Sequence, residues 1–206
     1  SGGSTLYCLQ EVLRREWNPV TKEQLDMSSA ESILKHLRIL ILHAGGDSKR
    51  LPAYGPVGKI FVPLPGDTSD FAEATLFDRS VRSLFRLPAP PEKNGQTVVV
   101  AGDALLLFTP EKFLPVAEGV TALGGFGSVE EACRHGVFYV SQDGRLQLYA
   151  QKPSRTEQLR LAPWNYDPRP IIDLGLMSFT AATAAAWLDV FGFFPGDRTA
   201  IDAGRK

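Results

Sequence analysis

Apolar positions along the first part of the chain alternate between helical and strand spacing. Residues 6–17 carry apolar side chains at helical intervals, so we expect an amphipathic helix that stops at Asn18-Pro19. A second helix is expected from Ser29, and it leads into 39–42, an unbroken apolar stretch. Such a stretch is typical of a strand buried on both faces of a parallel sheet. The chain is therefore predicted to start with two helices and one buried strand.

Strands and helices continue to alternate through the rest of the chain. The expected elements are a helix over 71–85, a strand over 97–101, a helix near 110–116, a strand over 120–123, a helix from Ser128, a strand over 171–176 and an Ala-rich helix that reaches Phe191. Strands over 137–141 and 146–150 flank Gln142-Asp143-Gly144, which favours an antiparallel hairpin. This order predicts an α/β domain with a mixed, mostly parallel sheet and one inserted hairpin.

Length, composition and charge exclude several classes of protein. With 206 residues, the chain is expected to form one compact domain. The hydrophobic share of 44% and the charged share of 22% are near the globular average, which argues against a disordered tail or a coiled coil. The formal net charge of -1 gives no basic excess, so a protein that follows a nucleic-acid backbone is not expected. Anionic ligands must be bound by a few local cations.

The cysteines and the first residues bear on the compartment. Cys8 and Cys133 are the only cysteines, too few for a CxxC metal site or a disulfide framework, and we expect both to be buried and inert. This usage fits a reducing cytoplasm. No apolar run approaches the roughly 18 residues that span a bilayer, so no membrane partner is expected. The chain begins at Ser1 without an initiator Met or a signal peptide, which indicates a piece of a longer chain.

A glycine-rich segment with basic residues follows the strand at 39–42. The segment reads His-Ala-Gly-Gly-Asp-Ser-Lys-Arg-Leu-Pro over 43–52, and Gly58-Lys59 comes shortly after it. Glycines let backbone N–H groups approach an anion, and the carboxyl end of a parallel strand is where ligands bind. The spacing is neither GxxxxGK[ST] nor GxGxxG. The segment alone is compatible with a phosphate loop or with a simple strand-to-loop turn.

The order of motifs resembles that of the sugar-1-phosphate nucleotidylyltransferases. That family has an apolar strand, a Gly-rich turn, an Arg before Leu-Pro and then a Lys, and its later markers match in order: Gly102-Asp103, His135-Gly136-Val137, Gln151-Lys152-Pro153 and Asp173-Leu174-Gly175-Leu176. The spellings HAGGDSKRLP, HGV and QKPS, with the SGGST opening, most resemble the GDP-L-fucose pyrophosphorylase domain, which occurs alone or joined to L-fucokinase. The resemblance implies a Rossmann-like, GT-A-like nucleotide-diphospho-sugar transferase domain over 1–206, truncated at both ends.

The resemblance implies a nucleotide site at the first strand ends. The nucleotide phosphates would be cradled by Gly45, Gly46, Asp47 and Ser48. Arg50 would neutralise the departing pyrophosphate, and Lys59 would hold the α-phosphate. Asp103 would bind Mg²⁺, the implied cofactor. Phosphoryl-type displacement depends on placed cations and a metal more than on a protein acid or base, so these roles are chemically consistent.

The resemblance also implies a sugar site and an activity. Gly136 and Asp173 would contact sugar hydroxyls, and Lys152 would contact the sugar phosphate. The implied reaction transfers a guanylyl group from GTP to L-fucose 1-phosphate, with small-molecule substrates and neither nucleic acid nor membrane as a partner. Two alternatives stay open: another sugar 1-phosphate and nucleotide, or a nucleotide-sugar binding module without turnover.

Each of these residues also has an ordinary structural interpretation. Asp103 is suited to capping a turn or helix, Lys152 to an exposed hairpin end, and Asp173 to accepting a buried hydrogen bond. His43 and His135 stand beside motifs, but a single His near a strand end is more often structural, and no His or Cys spacing indicates zinc. Neither His is assigned a catalytic role.

Overall fold

The computed structural model describes residues 2–17, 26–44, 52–56, 58–64, 75–91 and 94–192. Its helices are α1 (Gly2–Glu16), α2 (Met27–Leu34), α3 (Leu76–Leu84), α4 (Val129–Ala132), α5 (Arg155–Leu161) and α6 (Ala181–Val190). Its strands are β1 (Arg38–His43), β2 (Gln96–Ala101), β3 (Val120–Phe126), β4 (Gly136–Val140), β5 (Leu146–Gln151) and β6 (Ile171–Phe179). The chain forms two compact units, one of residues 1–121 with 177–206 and one of residues 122–176.

The first unit is built on a parallel strand pair covered by helices. β1 pairs with β2 in parallel register, from Arg38 opposite Gln96 to His43 opposite Ala101. β2 is followed in the strand order by β6, whose last residues belong to this unit. Helices α1, α2 and α6 pack around one apolar cluster of buried side chains, which include Leu9, Leu34, Ile41 and Leu188. This burial of helix faces holds the two strand ends in place.

The second unit is an antiparallel arrangement around a hairpin. β4 pairs antiparallel with β5, where Gly136 stands opposite Gln151, and with β6, where Val137 stands opposite Ile172. β3 pairs with β6. Val137 and Tyr139 are buried against Ala132 of α4. The predicted α/β fold with a mixed sheet and an antiparallel hairpin is confirmed.

Four of the helices begin at the sequence signal that favours a helix start. Asp26, Thr75, Ser128 and Ser154 each accept a hydrogen bond from the third residue of the helix, whose side chain bonds back to the cap. Such a capping box satisfies two N–H groups that a helix leaves without partners. The local sequence thus fixes where these helices start.

Several predicted elements differ from the observed ones. The helix expected near 110–116 is one 3₁₀ turn over Pro110–Lys112, because Pro115 disfavours helical backbone at the residue before it. β3 continues through Gly124, where a Cβ would lie 2.5 Å from the Ile171 side chain of β6. α5 was not predicted. Residues 71–74 of the expected third helix lie outside the described residues.

The expected burial of the cysteines is wrong for Cys8. Cys8 is exposed on α1, whereas Cys133 is partly buried and its Sγ accepts a hydrogen bond from Gln158 at 3.3 Å. Cys8 lies on the face of α1 that is turned away from the buried Leu6 and Leu9, which explains its exposure. Within the described ranges, the helices lack the combined length and hydrophobicity that crossing a membrane requires.

Candidate functional site

The carboxyl ends of β1 and β2 lie side by side in the first unit. The Gly102 N–H donates a hydrogen bond to the His43 carbonyl at 3.1 Å, directly after the last register pair of the two strands. A Cβ on Gly102 would lie 2.7 Å from that same carbonyl oxygen. Glycine is therefore required for the chain to leave β2 this close to β1, and the next residue, Asp103, follows at the sheet edge.

A second segment returns to the same strand end and carries Lys59. Gly58 has φ +89°, and a Cβ there would lie 3.1 Å from the Ala44 carbonyl oxygen, just beyond β1. Lys59 begins the 3₁₀ turn Lys59–Phe61, which is anchored by Ile60, 1% exposed. The glycine lets the backbone approach β1 in a left-handed conformation, and the buried isoleucine fixes the turn. The Lys59 side chain is left only partly buried.

Lys59 and Asp103 meet at this edge. Lys59 Nζ lies 3.6 Å from Asp103 Oδ2, with 31% of the lysine and 58% of the aspartate side chain exposed. The distance exceeds a hydrogen bond, so the pair is a loose Coulombic contact that stabilises the fold little. Both groups therefore stay available to a ligand. Two residues predicted from separate motifs are brought together.

The other predicted members of the nucleotide site are not described. Gly45, Gly46, Asp47, Ser48 and Arg50 lie outside the described residues, so their assigned roles stay predictions.

His43, which precedes that segment, has a structural partner. Its Nε2 lies 2.8 Å from Oγ1 of Thr5, a residue of α1 that is 5% exposed. Burial lowers the pKa of the His43 imidazole below its usual value, which favours the neutral ring at neutral pH. The contact ties α1 to the end of β1 and agrees with leaving His43 out of the catalytic set.

In the second unit, Tyr149 connects two predicted sugar-site residues. Its hydroxyl lies 3.2 Å from Asp173 Oδ2 and 2.7 Å from Gln151 Oε1, while Asp173 Oδ1 accepts the Gly175 N–H at 2.8 Å. A Cβ on Gly136 would collide with the Tyr149 hydroxyl. The Tyr149 ring leaves no room for a side chain at residue 136, which accounts for the glycine there. The Asp173 carboxylate is held in place by the hydrogen bonds that it accepts.

Tyr149 itself was missed by the sequence reasoning. Its pKa is raised by partial burial, by the negative charge of Asp173 and by their hydrogen bond, so the phenol is protonated at neutral pH. The hydroxyl has one proton, so it donates to one acceptor at a time. The strand pattern of the hairpin could have indicated Tyr149, because alternate residues of a strand share a face and Tyr149 is therefore beside Gln151.

Lys152 has an unusual backbone conformation at the end of β5. Its φ is +51°, the one positive value for a non-glycine residue among the residues described. Its N–H donates to the His135 carbonyl at 2.9 Å, and the buried Pro153 follows. Such a conformation costs on the order of 1 kcal/mol or more and persists because the surroundings enforce it. The side chain is exposed.

The acidic residues of the described ranges do not form a dedicated metal cage. Groups of three or more His, Cys, Asp or Glu side chains in metal-binding arrangement are absent from that part of the chain. Mg²⁺ bound with a nucleotide needs only one or two carboxylates, because phosphate oxygens and water supply the other ligands. The exposed Asp103 carboxylate is of the right chemistry for that arrangement.

Comparisons with known proteins point to one family. The model of the fucose pyrophosphorylase domain family matches residues 31–195. The chain is 29% identical over 208 residues to a bifunctional fucokinase/GDP-fucose pyrophosphorylase of Arabidopsis thaliana, which covers 92% of this chain and 19% of that protein. It is 28% identical over 153 residues to the fucose-1-phosphate guanylyltransferase of Mus musculus, which covers 71% of this chain and 22% of the relative.

The matches cover only part of each relative. The chain spans about a fifth of the length of these relatives. Among solved structures, CMP:2-keto-3-deoxy-manno-octonic acid synthetase complexed with CTP has a TM-score of 0.48 and 12% identity over 82% of this chain and 81% of that one.

Proposed function

Because the chain belongs to the fucose pyrophosphorylase domain family, we propose that it transfers a guanylyl group from GTP to L-fucose 1-phosphate, which gives GDP-L-fucose and pyrophosphate. The observation that carries this proposal is the approach of Lys59 Nζ to Asp103 Oδ2, 3.6 Å apart, at the adjoining carboxyl ends of two parallel strands. That edge is where open parallel sheets bind ligands. The names of the two relatives support the choice of sugar and nucleotide.

The reaction needs charge and placement rather than a protein base. An oxygen of the fucose 1-phosphate forms a bond to the α-phosphorus of GTP, and the bond from that phosphorus to the bridging oxygen breaks. Pyrophosphate leaves with the electron pair. The attacking oxygen is already ionised at neutral pH, so no proton must be removed. Lys59 is suited to stabilising the negative charge on the α-phosphate, and Arg50 is assigned to the departing pyrophosphate.

Asp103 is the proposed Mg²⁺ ligand. The carboxylate is more than half exposed and lies near a lysine without a hydrogen bond to it, so it can bind a cation presented with the nucleotide. Bound Mg²⁺ would offset the repulsion between the sugar phosphate and the triphosphate. Lys59 would then contact phosphate oxygens in place of the carboxylate.

The second unit is assigned to the sugar phosphate. Asp173 and Tyr149 present an acceptor and a hydroxyl on one face of β5 and β6, which suits the hydroxyls of a pyranose. The exposed Lys152 is assigned to the phosphate, and its φ of +51° sets the direction in which the side chain leaves the strand.

The first test compares two lysines of the first unit. Lys59→Gln should lower pyrophosphate release from GTP and fucose 1-phosphate by about a hundredfold, since it removes a phosphate-directed cation. Lys35→Gln is the matched control because Lys35 makes an ordinary helical ion pair with Glu31 at 2.7 Å. Both variants should unfold at the same urea concentration as the wild type. Wild-type turnover in Lys59→Gln would contradict the assignment.

The second test compares the nucleotide and sugar-phosphate pairs that the protein accepts. GTP with L-fucose 1-phosphate should give the highest kcat/KM among guanylyl, adenylyl, uridylyl and cytidylyl donors paired with fucose, mannose or glucose 1-phosphate. A preference for another pair would overturn the proposed substrate while leaving the reaction class intact.

A further inference from the structure

Both segments that carry the proposed nucleotide site pack against the β1 end, residues His43 and Ala44. The His43 carbonyl accepts a hydrogen bond at 3.1 Å from the N–H of Gly102, the residue directly before the proposed metal ligand. A Cβ on Gly58, the residue directly before the proposed phosphate-directed lysine, would lie 3.1 Å from the Ala44 carbonyl oxygen. The backbone of the β1 end therefore sets where the lysine and the aspartate start.

The contact at Gly102 couples the β1 end closely to Asp103. A Cβ on Gly102 would lie 2.7 Å from the His43 carbonyl oxygen and 3.2 Å from the Ala44 Cα, too close for a side chain. A shift of the β1 end therefore moves the backbone that leads into Asp103. Within the described ranges, the ion pair of the Asp103 carboxylate is the loose one with Lys59 at 3.6 Å, so the backbone largely decides where this carboxylate lies.

The β1 end is held in turn by α1, through the side chain of His43. Its Nε2 lies 2.8 Å from Oγ1 of Thr5, a residue 38 positions earlier in the chain. Thr5 is 5% exposed and lies one helical turn before Leu9, which belongs to the same buried cluster as Ile41 of β1. Apolar packing thus holds the helix against the strand, and the buried threonine hydroxyl, which needs a partner, holds the imidazole.

We propose that Thr5 is a positioning residue for guanylyl transfer, which holds Asp103 in place for Mg²⁺ through His43 and Gly102. The contacts run from the Thr5 hydroxyl to the His43 imidazole, and from the His43 carbonyl to the N–H of the glycine that precedes the carboxylate. Helix α1 lies outside residues 31–195, which the family model matches, so this role adds a further helix to the site. The inference rests on the proposed function for the metal and the nucleotide that Asp103 binds.

The first test measures hydrogen exchange of the Gly102 amide by NMR, without nucleotide or metal. Thr5→Val removes the hydroxyl and nearly keeps the shape of the side chain, so exchange at Gly102 should become about fivefold faster, the factor that corresponds to one neutral hydrogen bond. Thr5→Ser keeps the hydroxyl and should exchange like the wild type. The Gln96 N–H donates to the Leu37 carbonyl at 2.9 Å at the opposite end of the same strand pair, so its exchange should not change in either variant.

The second test measures metal binding with Mn²⁺, which takes the same oxygen ligands as Mg²⁺ and broadens the NMR signals of nearby amides. With GTP present, the Mn²⁺ concentration that half-broadens the Asp103 amide signal should rise by about threefold in Thr5→Val, less than the roughly tenfold expected for a direct partner of a metal ligand. Thr180→Val is the matched control, because Thr180 is also 5% exposed in the first unit and its hydroxyl accepts the Thr183 N–H. It should lower the free energy of unfolding and leave the exchange and the metal binding unchanged.

Three results would overturn the proposal. They are wild-type exchange at Gly102 in Thr5→Val, an equal change in Thr5→Ser, and faster exchange in Thr5→Val with unchanged Mn²⁺ binding. A wild-type protein whose Asp103 signal is not broadened by Mn²⁺ with GTP would overturn the proposed function, and the role of Thr5 in metal binding with it. The exchange rates are measured without ligands, so they show separately whether Thr5 holds the β1 end.

Discussion

Two buried glutamines of the first unit should respond in opposite ways to the same substitution. Gln10 of α1 is 1% exposed, and neither atom of its amide has a partner among the described residues. Gln96 of β2 is 2% exposed, but its amide accepts from Arg38 at 2.9 and 3.2 Å and donates to Ser178 Oγ at 3.0 Å. Methionine has nearly the shape of glutamine without the amide, so it isolates the polar contribution.

The expected changes in the free energy of unfolding follow from these contacts. Gln10→Met removes an amide that was buried without hydrogen bonds, which should stabilise the fold by about 1–3 kcal/mol. Gln96→Met removes the acceptor of two hydrogen bonds from Arg38, which keeps its bond to the Leu87 carbonyl at 2.8 Å, and it leaves the buried Ser178 hydroxyl without the Gln96 amide. That loss should destabilise the fold by about 2–4 kcal/mol.

Urea unfolding followed by tryptophan fluorescence measures both changes, because Trp17 and Trp187 pack against the cluster that contains α1. The slope of the unfolding free energy against urea concentration should be the same in the variants as in the wild type. An unchanged slope shows that the folded and unfolded states keep their compactness. Destabilisation by Gln10→Met would refute the reasoning, since it would mean that the amide is bonded in the folded protein. A neutral Gln96→Met would refute it as well.

Two further substitutions test local features of the second unit. Lys152→Gly should leave the unfolding free energy unchanged or raise it by up to about 1 kcal/mol, because glycine tolerates φ +51°. Lys152→Ala should give no such gain, because alanine has a Cβ. Urea unfolding measures both changes. Asp167, whose pKa the Arg169 contacts lower from 3.8 to about 2, stabilises the fold above pH 4 and loses that effect as the pH falls towards 2. Asp167→Asn should therefore be less stable than the wild type at pH 7, and the difference in unfolding free energy should shrink as the pH falls from 4 through 2; urea unfolding at each pH measures it.

The pairing of Lys59 with Asp103 shows what the sequence could predict. Asp103 follows Gly102 directly after β2, so its place at the carboxyl end of the strand follows from the α/β pattern. Lys59 lies well beyond the end of β1 in the sequence, and only the close approach of Gly58 to Ala44 brings it back to that strand end. The 3.6 Å distance depends on the turn that Ile60 anchors, which no periodicity reveals.

Helix α5 and Tyr149 show why other features could not be predicted from spacing. In α5 the one buried residue is the polar Gln158, while the apolar Leu159 is exposed, which inverts the usual pattern of an amphipathic helix. The capping box of Ser154 and Glu157 is the one feature of the sequence here that indicates the start of this helix. Tyr149 meets Asp173, 24 residues away, only because of the strand pairing around β4. Pairing between distant strands is decided by packing.

Turnover of Asp103→Asn across a Mg²⁺ titration tests the central claim most directly. Pyrophosphate release from GTP and L-fucose 1-phosphate should fall by about a hundredfold or more, because asparagine keeps the size of the side chain and removes the charge that binds the metal. Glu111→Gln is the control, since it removes a carboxylate charge from another surface ion pair, to Arg86 at 2.6 Å, that contains no residue of the proposed site, and it should keep wild-type turnover. An Asp103→Asn variant with the wild-type rate and Mg²⁺ dependence would contradict the account and leave Asp103 as a turn residue.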